Sequence, residues 1–444
     1  MQHKQRAASK RRRRGLSESQ LAVLLVLPAL AIIACIAVYP ILRTIWYSLF
    51  DLRLNHPTRN TPHFSYSLDL EKYADGMYTF ASQTAKALAA ADTEEETLAV
   101  QALIQAVEAV EEALFDTDER REKLLEVNAL IDAYKPVNDD ELRYIEVSQA
   151  EIARYKDDLA AAKELAAAAK TAASGAAKQI EKAAQALDAL DFAAVEPNFV
   201  GLKNYQKYLG DARLWTSVAN TTIFTVFAVS FELIVGLLLA LLMNQSFRGR
   251  GLIRASVLIP WSIPASTSAI IWKFMYDGQY GIMSSLLASL GIIPSASYIL
   301  TTRAGSLFGM ILSDIWKTSP FMALLLLAGL QTIDTTLYEA AKVDGCSRIR
   351  SFFSITLPLL KPTILVSVLF RTMDTFKAFD LPSVMTNGAN DTESISLYAY
   401  KLMFAQMDFG SGSTVSIILF FMVFLICLFY IKVMGADVFK SSKA

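Results

Sequence analysis

Four charged residues recur at every third position within an apolar stretch of the chain, residues 363–385. In chain order they are Arg371, Asp374, Lys377 and Asp380. Each would cost about 2.5–3.5 kcal/mol if it lay unpaired in the middle of a bilayer, and residues three apart on a helix share a face on which opposite charges pair. We therefore expect this face to form a structural ladder of ion pairs or, together with Thr375, to line a polar path for a hydrophilic solute.

A second cluster of polar and aromatic residues lies in another apolar stretch, residues 305–331. Its polar members are Asp314, Lys317, Thr318 and Ser319, and its aromatic members are Trp316 and Phe321. Polar groups can bond the hydroxyls of a sugar, and aromatic rings can cover its C–H faces. The cluster therefore fits a sugar.

A charged segment, Tyr338–Pro362, separates these two apolar stretches. Its charged side chains are Lys342, Asp344, Arg348, Arg350 and Lys361. Because such a segment cannot lie in hydrocarbon, it must face water. Ala340 and Ala341, which follow Glu339, let another surface approach the backbone closely, and Gly345 permits a bend or a positive φ. We predict that this segment, called here the 338–362 segment, is an elbow onto which a partner docks.

The composition is that of a membrane protein. The chain has 444 residues, of which 53% are hydrophobic, and its mean hydropathy of +0.34 is too high for an ordinary soluble protein of this size. The formal net charge of -1 hides an asymmetry, because residues 51–200 hold 29 of the 43 acidic residues but 15 of the 42 basic ones. We expect an acidic, water-exposed insert within a basic membrane body.

The insert, residues 51–198, is predicted to be purely helical. Apolar residues recur at three- and four-residue spacing from about 84 to 135 and from about 139 to 191, which indicates two long amphipathic helices. Pro136 marks a turn between them, so we expect an antiparallel helical hairpin. Most of its acidic residues would form an exposed face without enzymatic chemistry. The three cysteines and three histidines of the chain offer no metal spacing or disulfide framework.

Six apolar runs are long enough for the roughly 20 residues that a membrane-spanning helix needs. They are residues 21–50, 215–243, 255–276, 305–331, 363–385 and 413–434. The first run follows a basic stretch, residues 4–14, and lacks a small-residue cleavage site followed by polar sequence, so we expect a retained span rather than a signal peptide. The sequence thus predicts an all-α polytopic membrane protein in three parts: residues 1–50, the insert 51–198, and a five-helix body 199–444.

Basic residues set the expected orientation. With the N-terminus inside, the inner connections and tail contain Arg248, Arg250, Arg254, Lys432, Lys440 and Lys443, besides the 338–362 segment. The short outer connections contain only Arg303 and Lys401. This positive-inside pattern puts both termini and the 338–362 segment in the cytoplasm and the insert outside.

The 338–362 segment resembles the coupling loop of permease subunits of binding-protein-dependent ABC importers. The resemblance is carried by Glu339-Ala340-Ala341, by Gly345 four residues later, and by the close at Leu357-Pro358. From about Phe199 onward the chain is similar to the maltose/trehalose and glycerol-phosphate class of these permeases. Further matching residues are Trp261, Pro264, Trp272, Gly329 to Gln331, Arg371 to Asp380 and Thr386 to Gly388. It departs from that class at Ala389 to Asp391, where a second Gly and a Pro are usual, and in its helical insert.

The resemblance implies a type I importer permease core in a prokaryotic plasma membrane, with several partners. These are a second, related permease, two ATPase subunits that bind ATP and Mg²⁺, an extracytoplasmic solute-binding protein and membrane lipid, with no nucleic acid. The implied ATPase-coupling residues are Glu339, Ala340, Ala341, Asp344, Gly345, Arg348 and Pro358. The implied substrate path, for a sugar such as maltose or trehalose, is Asp314, Thr318, Phe321, Arg371, Asp374 and Thr375. Because the chain lacks GxxxxGK[ST], we expect no bound cofactor and no enzymatic activity of its own.

Two other functions stay open at this point. A transmembrane sensor with an external helical hairpin would account for the first two spans and the insert, but would leave the later spans and the 338–362 segment without a role. A secondary transporter driven by an ion gradient could use the charges of residues 371–380 as a proton or sodium relay, although the two halves of the chain contain no repeat that we detect.

Overall fold

The computed structural model describes residues 18–246 and 248–441, with side chains over 23–246 and 248–432. The basic stretch 4–14, the side chain of Lys440 and all of Lys443 lie outside the described residues. Within the described chain, five helices are long and apolar enough to cross a bilayer, and a bent pair of helices makes a sixth span if it is counted as one. The predicted helical, multi-span fold is confirmed.

The first span is a single long helical rod. It comprises α1 (Glu18–Ile33), a π-helical segment (Ala34–Val38) and α2 (Tyr39–Ser48). The side chains from Val23 to Leu42 are exposed throughout, as expected for a helix whose neighbours are lipid or another subunit.

The insert that follows contains helices and a small sheet. Its elements are β1 (Ser67–Asp69), α3 (Leu70–Ala89), α4 (Glu94–Leu114), α5 (Asp118–Asp132), α6 (Asp140–Arg143), β2 (Tyr144–Glu146), α7 (Gln149–Ala172), α8 (Ala177–Asp191) and β3 (Ala194–Val195). The strands form an antiparallel sheet in the order β2-β1-β3. The predicted two-helix hairpin was therefore wrong, and so was the expectation of a purely helical insert.

Helix caps explain why the first predicted helix of the insert is broken. Thr93 and Thr117 begin new helices, because their hydroxyls accept hydrogen bonds from the backbone N–H of Glu96 (3.2 Å) and Arg120 (3.4 Å). The helices then fold into a bundle with one apolar core. Ala162, Ala166 and Ala183 are fully buried there, and their small side chains allow the helices to pack closely.

The insert joins the membrane body through two chain segments, residues 50–54 and 198–200, called here the neck. Phe50 pairs with Phe199 in an isolated antiparallel bridge. The buried Asn198 side chain donates to the carbonyls of Asp51 (3.3 Å) and Thr61 (2.8 Å), and it accepts from His63 N–H (2.8 Å). These bonds fix the separation of the two segments.

The remaining chain forms the membrane body. Its helices are α9 (Lys203–Leu209), α10 (Ala212–Asn244), α11 (Arg250–Val257), α12 (Ile259–Ser262), α13 (Ala265–Met275), α14 (Ile282–Ser289), α15 (Tyr298–Thr301), α16 (Arg303–Leu330), α17 (Thr336–Val343), α18 (Arg348–Ser351), α19 (Leu357–Thr375), α20 (Asp380–Met385), α21 (Ile395–Tyr400) and α22 (Phe409–Ser441), with π-helical segments at Phe352–Thr356 and Lys401–Ala405 and a 3-10 turn at Ala389–Asp391. The last span is tied to the neck, because Gly410 N–H donates to Leu52 O at 3.1 Å.

The predicted third span is broken at its second proline. The helical stretches Arg250–Ser262 and Ala265–Met275 are bent by 89°, with Pro264 between them. Pro264 cannot donate a backbone hydrogen bond, and Lys317 Nζ of α16 donates to Ile263 O at 2.7 Å. A neighbouring helix thus compensates for the lost backbone bonding, as a break at membrane depth requires.

The charged ladder predicted for residues 371–380 is interrupted. Arg371 and Asp374 pair three residues apart on α19, with 2.6 Å between Nη1 and Oδ2. Because α19 ends at Thr375 and α20 begins at Asp380, Lys377 lies in the connection and the ladder does not continue along one helix.

Candidate functional site

A cavity of about 660 Å³ lies among α12, α16, α19 and α20. Its lining includes the six residues predicted for the substrate path: Asp314, Thr318 and Phe321 from α16, and Arg371, Asp374 and Thr375 from α19. The structure thus brings together residues that lie about fifty positions apart in sequence. Their part in a solute path stays a prediction.

The guanidinium of Arg371 is the electrostatic centre beside this cavity, and the residue is 3% exposed. Its Nε and Nη2 donate to the two carboxylate oxygens of Glu232 at 2.7 and 3.0 Å. Nη2 also donates to Asp314 Oδ2 at 3.1 Å and to Thr375 Oγ1 at 3.0 Å. A buried charge is tolerated only when it is paired and hydrogen-bonded in this way.

Glu232 of α10 was absent from the predicted site, although it is fully buried and contacts two predicted members. Besides its bidentate pairing with Arg371, it accepts a hydrogen bond from Thr318 Oγ1 at 2.7 Å. A signal was available, because Glu232 is the one charged residue in the apolar run 215–243. Through these bonds α10, α16 and α19 meet at one cluster of charges.

One wall of the cavity is aromatic. Trp261, from the short helix α12, stacks on Phe321 with ring centroids 5.6 Å apart and an angle of 16° between the planes. Trp261 is 46% exposed, so its ring offers a flat apolar surface to a molecule in the cavity. Asp374 contributes a polar surface instead. Its side chain is 72% exposed and presents carboxylate oxygens that accept hydrogen bonds.

The other charged and aromatic residues predicted for this region have different roles. Lys317 lines the cavity, but its Nζ is bonded to the backbone at the break of the third span. Asp380 also lines it and accepts from Ser266 Oγ at 2.6 Å. Trp316 packs its ring edge to face with Trp272 instead, with centroids 5.5 Å apart. The cavity combines an aromatic surface with hydrogen-bond acceptors, which suits an uncharged molecule rich in hydroxyls.

The 338–362 segment begins within α17 and turns at Gly345, where φ is +74°. The sequence allowed either a bend or a positive φ at this position. Cys346 N–H donates to Ala341 O at 2.9 Å and Gly345 N–H donates to Lys342 O at 3.2 Å. This pair of bonds is the Schellman motif that ends a helix at a left-handed residue. Of the predicted coupling residues, Ala341 is half-buried; the exposed ones are Glu339, Ala340, Asp344, Gly345, Arg348 and Pro358.

The segment exposes apolar side chains between its charges. Val343 is 88% exposed and Ile349 is 74% exposed, and both lie within a few residues of Gly345. Such exposed apolar side chains are typical of a surface that another protein covers. The segment also lies far from the neck, because Asn244, at the end of α10, and Tyr338 line the same hollow, whereas Leu214, near the start of α10, packs with Tyr208 just after the neck.

Sequence comparison identifies relatives over this membrane body. Residues 232–434 match a family described as "Binding-protein-dependent transport system inner membrane component". The chain is 44% identical over 240 residues to the trehalose/maltose transport system permease protein MalF of Thermococcus litoralis, which covers 54% of this chain and 80% of that protein.

Two further relatives have similar coverage. The trehalose transport system permease protein SugA of Mycobacterium tuberculosis is 40% identical over 238 residues, which are 54% of this chain and 76% of SugA. The sulfoquinovosyl glycerol transport system permease protein SmoG of Agrobacterium fabrum is 39% identical over 238 residues, which are 53% of this chain and 76% of SmoG. With its spans, its cavity and these relatives together, the chain belongs to the family of permeases that form the inner-membrane components of binding-protein-dependent ABC importers.

Proposed function

We propose that the cavity beside Arg371 is the place where this permease holds a sugar during its passage across the membrane. The observation that carries the proposal is the convergence of the stacked Trp261 and Phe321 with the exposed carboxylate of Asp374 around one cavity. An aromatic platform covers the apolar face of a sugar ring, while the carboxylate accepts hydrogen bonds from its hydroxyl groups. Relatives named as trehalose and maltose permeases support a di- or oligosaccharide as the solute.

Energy for transport would come from two ATPase subunits, each with bound ATP and Mg²⁺, and the 338–362 segment would receive one of them. Val343 and Ile349 provide apolar contact for docking, and Glu339, Asp344 and Arg348 provide charged contact at its rim. Closure of the ATPase subunits would then move α17 and, through it, α16 and α19, which carry the cavity residues. A second, related permease would complete the pathway.

The orientation that we propose rests on the distribution of charge. Arg250 and Arg254 lie at the end of α10 that is close to the 338–362 segment, which supports a cytoplasmic position for that end. The insert lies beyond the other end of α10 and would be extracytoplasmic, where a solute-binding protein delivers its cargo. Both termini would then be cytoplasmic.

The decisive experiment is reconstitution of the complex in liposomes with its ATPase and solute-binding protein. Solute-dependent ATP hydrolysis should be measured across disaccharides, longer oligosaccharides and polyol phosphates, and a neutral di- or oligosaccharide should stimulate most strongly. Trp261→Ala should raise the KM for that sugar by up to roughly tenfold, because the stacking contact of an aromatic ring contributes about 0.5–1.5 kcal/mol. No stimulation by any sugar would contradict the proposal.

Orientation is tested by cysteine labelling. In a chain with Cys35, Cys346 and Cys427 replaced by serine, a membrane-impermeant maleimide should label Tyr134→Cys in the insert from outside intact cells. Glu339→Cys should react only after the membrane is permeabilised. Labelling of residue 339 from outside would contradict both the topology and the docking of an ATPase.

A further inference from the structure

The hydrogen bonds of Arg371 separate two roles among the cavity residues. Its Nε and Nη2 are directed at Glu232, which lies behind the cavity wall. Its Nη2 also donates to Asp314, whose side chain lines the cavity but is only 12% exposed, and its Nη1 holds Asp374 at 2.6 Å. Glu232 is 0% exposed. Each nitrogen of the guanidinium thus donates to the protein itself, and because the residue is only 3% exposed, the guanidinium is poorly accessible to a solute anion.

Asp374 is in the opposite situation. One of its oxygens, Oδ2, accepts from Arg371, while most of the side chain faces open space. Its carboxylate can accept hydrogen bonds from hydroxyl groups, and it repels a carboxylate, sulfonate or phosphate that enters the cavity. The bond from Arg371 orients the Asp374 carboxylate, and the bonds to Glu232 in turn orient the guanidinium of Arg371.

We propose that Glu232 is a positioning residue that determines solute charge selectivity: it withholds Arg371 from the solute and thereby presents Asp374, so that the pathway takes an uncharged polyhydroxyl solute and rejects an anionic one. The inference rests on the proposed function, since it assigns a charge class to the solute of the same cavity. Bidentate pairing matters here because a guanidinium released from its carboxylate is a strong ligand for anions.

The other charged groups at the cavity either bond to the protein or are exposed at its edge. Lys317 donates to the carbonyls at the break of the third span, and Asp380 accepts from Ser266. Lys377 is exposed at the edge and makes no ion pair among the described residues. Selectivity that depended on Lys377 would respond to its own substitution and not to that of Glu232, so the two explanations can be separated.

The test compares two solutes on the reconstituted complex: a neutral disaccharide that stimulates the wild type, and the same disaccharide with one primary alcohol oxidised to a carboxylate. Glu232→Gln keeps the shape of the side chain but removes its charge, which releases Arg371. We expect the KM for the neutral sugar to rise about tenfold with little change in kcat. The ratio of kcat/KM for the acidic sugar to that for the neutral sugar should rise by at least tenfold.

The double variant Glu232→Gln with Arg371→Gln should lose that gain for the acidic sugar, because the released guanidinium is then absent. Asp374→Asn is a second route to the same result. It leaves the bonds of Arg371 to Glu232 and Asp314 in place, and it should weaken use of the neutral sugar and relax rejection of the acidic one even if Glu232→Gln fails to fold. Val226→Ala, at an exposed position on the same helix, is the matched control and should leave both KM values unchanged.

A correctly assembled Glu232→Gln complex with an unchanged selectivity ratio would overturn the inference, as would an identical shift produced by Lys377→Gln. If Glu232→Gln does not assemble, an unchanged ratio in Asp374→Asn overturns it. A wild-type complex that responds to no sugar at all contradicts the proposed function instead, so the two failures are distinguishable.

Discussion

At the scale of single residues, Gly345 has an unusual backbone conformation and free space where a side chain would lie. Its φ is +74°, and a Cβ added to it would meet no atom within 4 Å. Space therefore permits any side chain, whereas the backbone conformation favours glycine, since other L-residues pay about 1–2 kcal/mol to adopt it. The requirement at this position is conformational.

Gly345→Ala should therefore loosen the end of α17 by roughly 1 kcal/mol without a steric clash. The expected result is faster hydrogen exchange at the Cys346 amide and weaker retention of the ATPase during purification. Gly345→Asn should be milder, because asparagine tolerates the left-handed region better than alanine. Gly251→Ala is the control, since Gly251 also has open space but lacks a positive φ; an equal effect there would contradict the explanation.

Glu151 of the insert gives a prediction about pH. Its Oε2 accepts from Ser148 N–H at 2.6 Å and its Oε1 accepts from Arg120 Nη1 at 2.8 Å, and these bonds lower the pKa of Glu151 from 4.5 to about 2. Because the folded pKa lies below the unfolded one, the carboxylate stabilises the fold above about pH 4.5. That contribution is lost as the pH falls toward 2.

Glu151→Gln should lower the stability of the insert at pH 7 by roughly 1 kcal/mol, less than the full pKa shift implies because the side chain is about one-third exposed. The difference from wild type should shrink as the pH is lowered from 5 toward 2. Thermal unfolding followed at several pH values measures this. Glu164→Gln is the matched control, since Glu164 is exposed on the same helix and has no partner among the described residues; a parallel pH profile in both variants would argue against the assignment.

At the scale of elements, the contact between α10 and α16 depends on Gly236. A Cβ at this position would lie 2.7 Å from Met322 Cγ, 2.9 Å from Met322 Cβ and 3.2 Å from Ala323 N. The two spans could accept a side chain there only by moving apart. Because Glu232 lies one turn before Gly236 on α10, such a movement would also stretch the pairing of Glu232 with Arg371.

Gly236→Val should destabilise the membrane body by about 1–3 kcal/mol, the usual range for overpacking a close contact. It should also lower transport more than Gly210→Ala does, since a Cβ at Gly210 meets its nearest atom at an ordinary 3.5 Å. Thermal unfolding in detergent and uptake in liposomes are the measurements. A wild-type melting temperature for Gly236→Val would mean that the two helices are free to separate.

The sequence predicts a site residue best when its side chain lies in surroundings that differ strongly from water. Arg371 and Asp314 were predicted because a charged side chain in an apolar run is energetically costly. Glu232 could have been predicted by the same argument. The strand Ser67–Asp69 is too short for its alternation to be recognised, and Thr93 and Thr117 act as helix caps with residue types that also occur inside helices. The pairing of Asp314 with Arg371, across 57 positions, follows from tertiary packing that local patterns do not contain.

At the scale of the whole molecule, family membership decides between the functions that the sequence left open. The match extends over residues 232–434, which include the later spans and the 338–362 segment that a sensor would leave without a role. It also assigns the chain to importers that depend on a binding protein, in place of an ion-gradient transporter. The insert lies outside that match.

The neck determines how firmly the insert is held. Asn198→Ala would leave the carbonyls of Asp51 and Thr61 and the N–H of His63 without their present partner, which should cost about 2–3 kcal/mol. Hydrogen exchange at the amides of residues 51–63 should accelerate while exchange in the insert core stays slow. Asn128→Ala, at an exposed position of α5, should change neither; uniform acceleration across the insert would mean that Asn198 supports its folding and not only its attachment.

The bond from Gly410 N–H to Leu52 O has a mechanical consequence. A Cβ at Gly410 would lie 2.1 Å from Phe50 O, so the base of the insert and the start of the last span must turn together. Helix α7 alone, with 24 residues, extends roughly 36 Å at about 1.5 Å per residue. A tilt of only about 5° at the neck would move the distal turn near Gly175, about 36 Å away, by about 3 Å. A dye attached at that turn would therefore report small rotations of the membrane helices as measurable changes in distance.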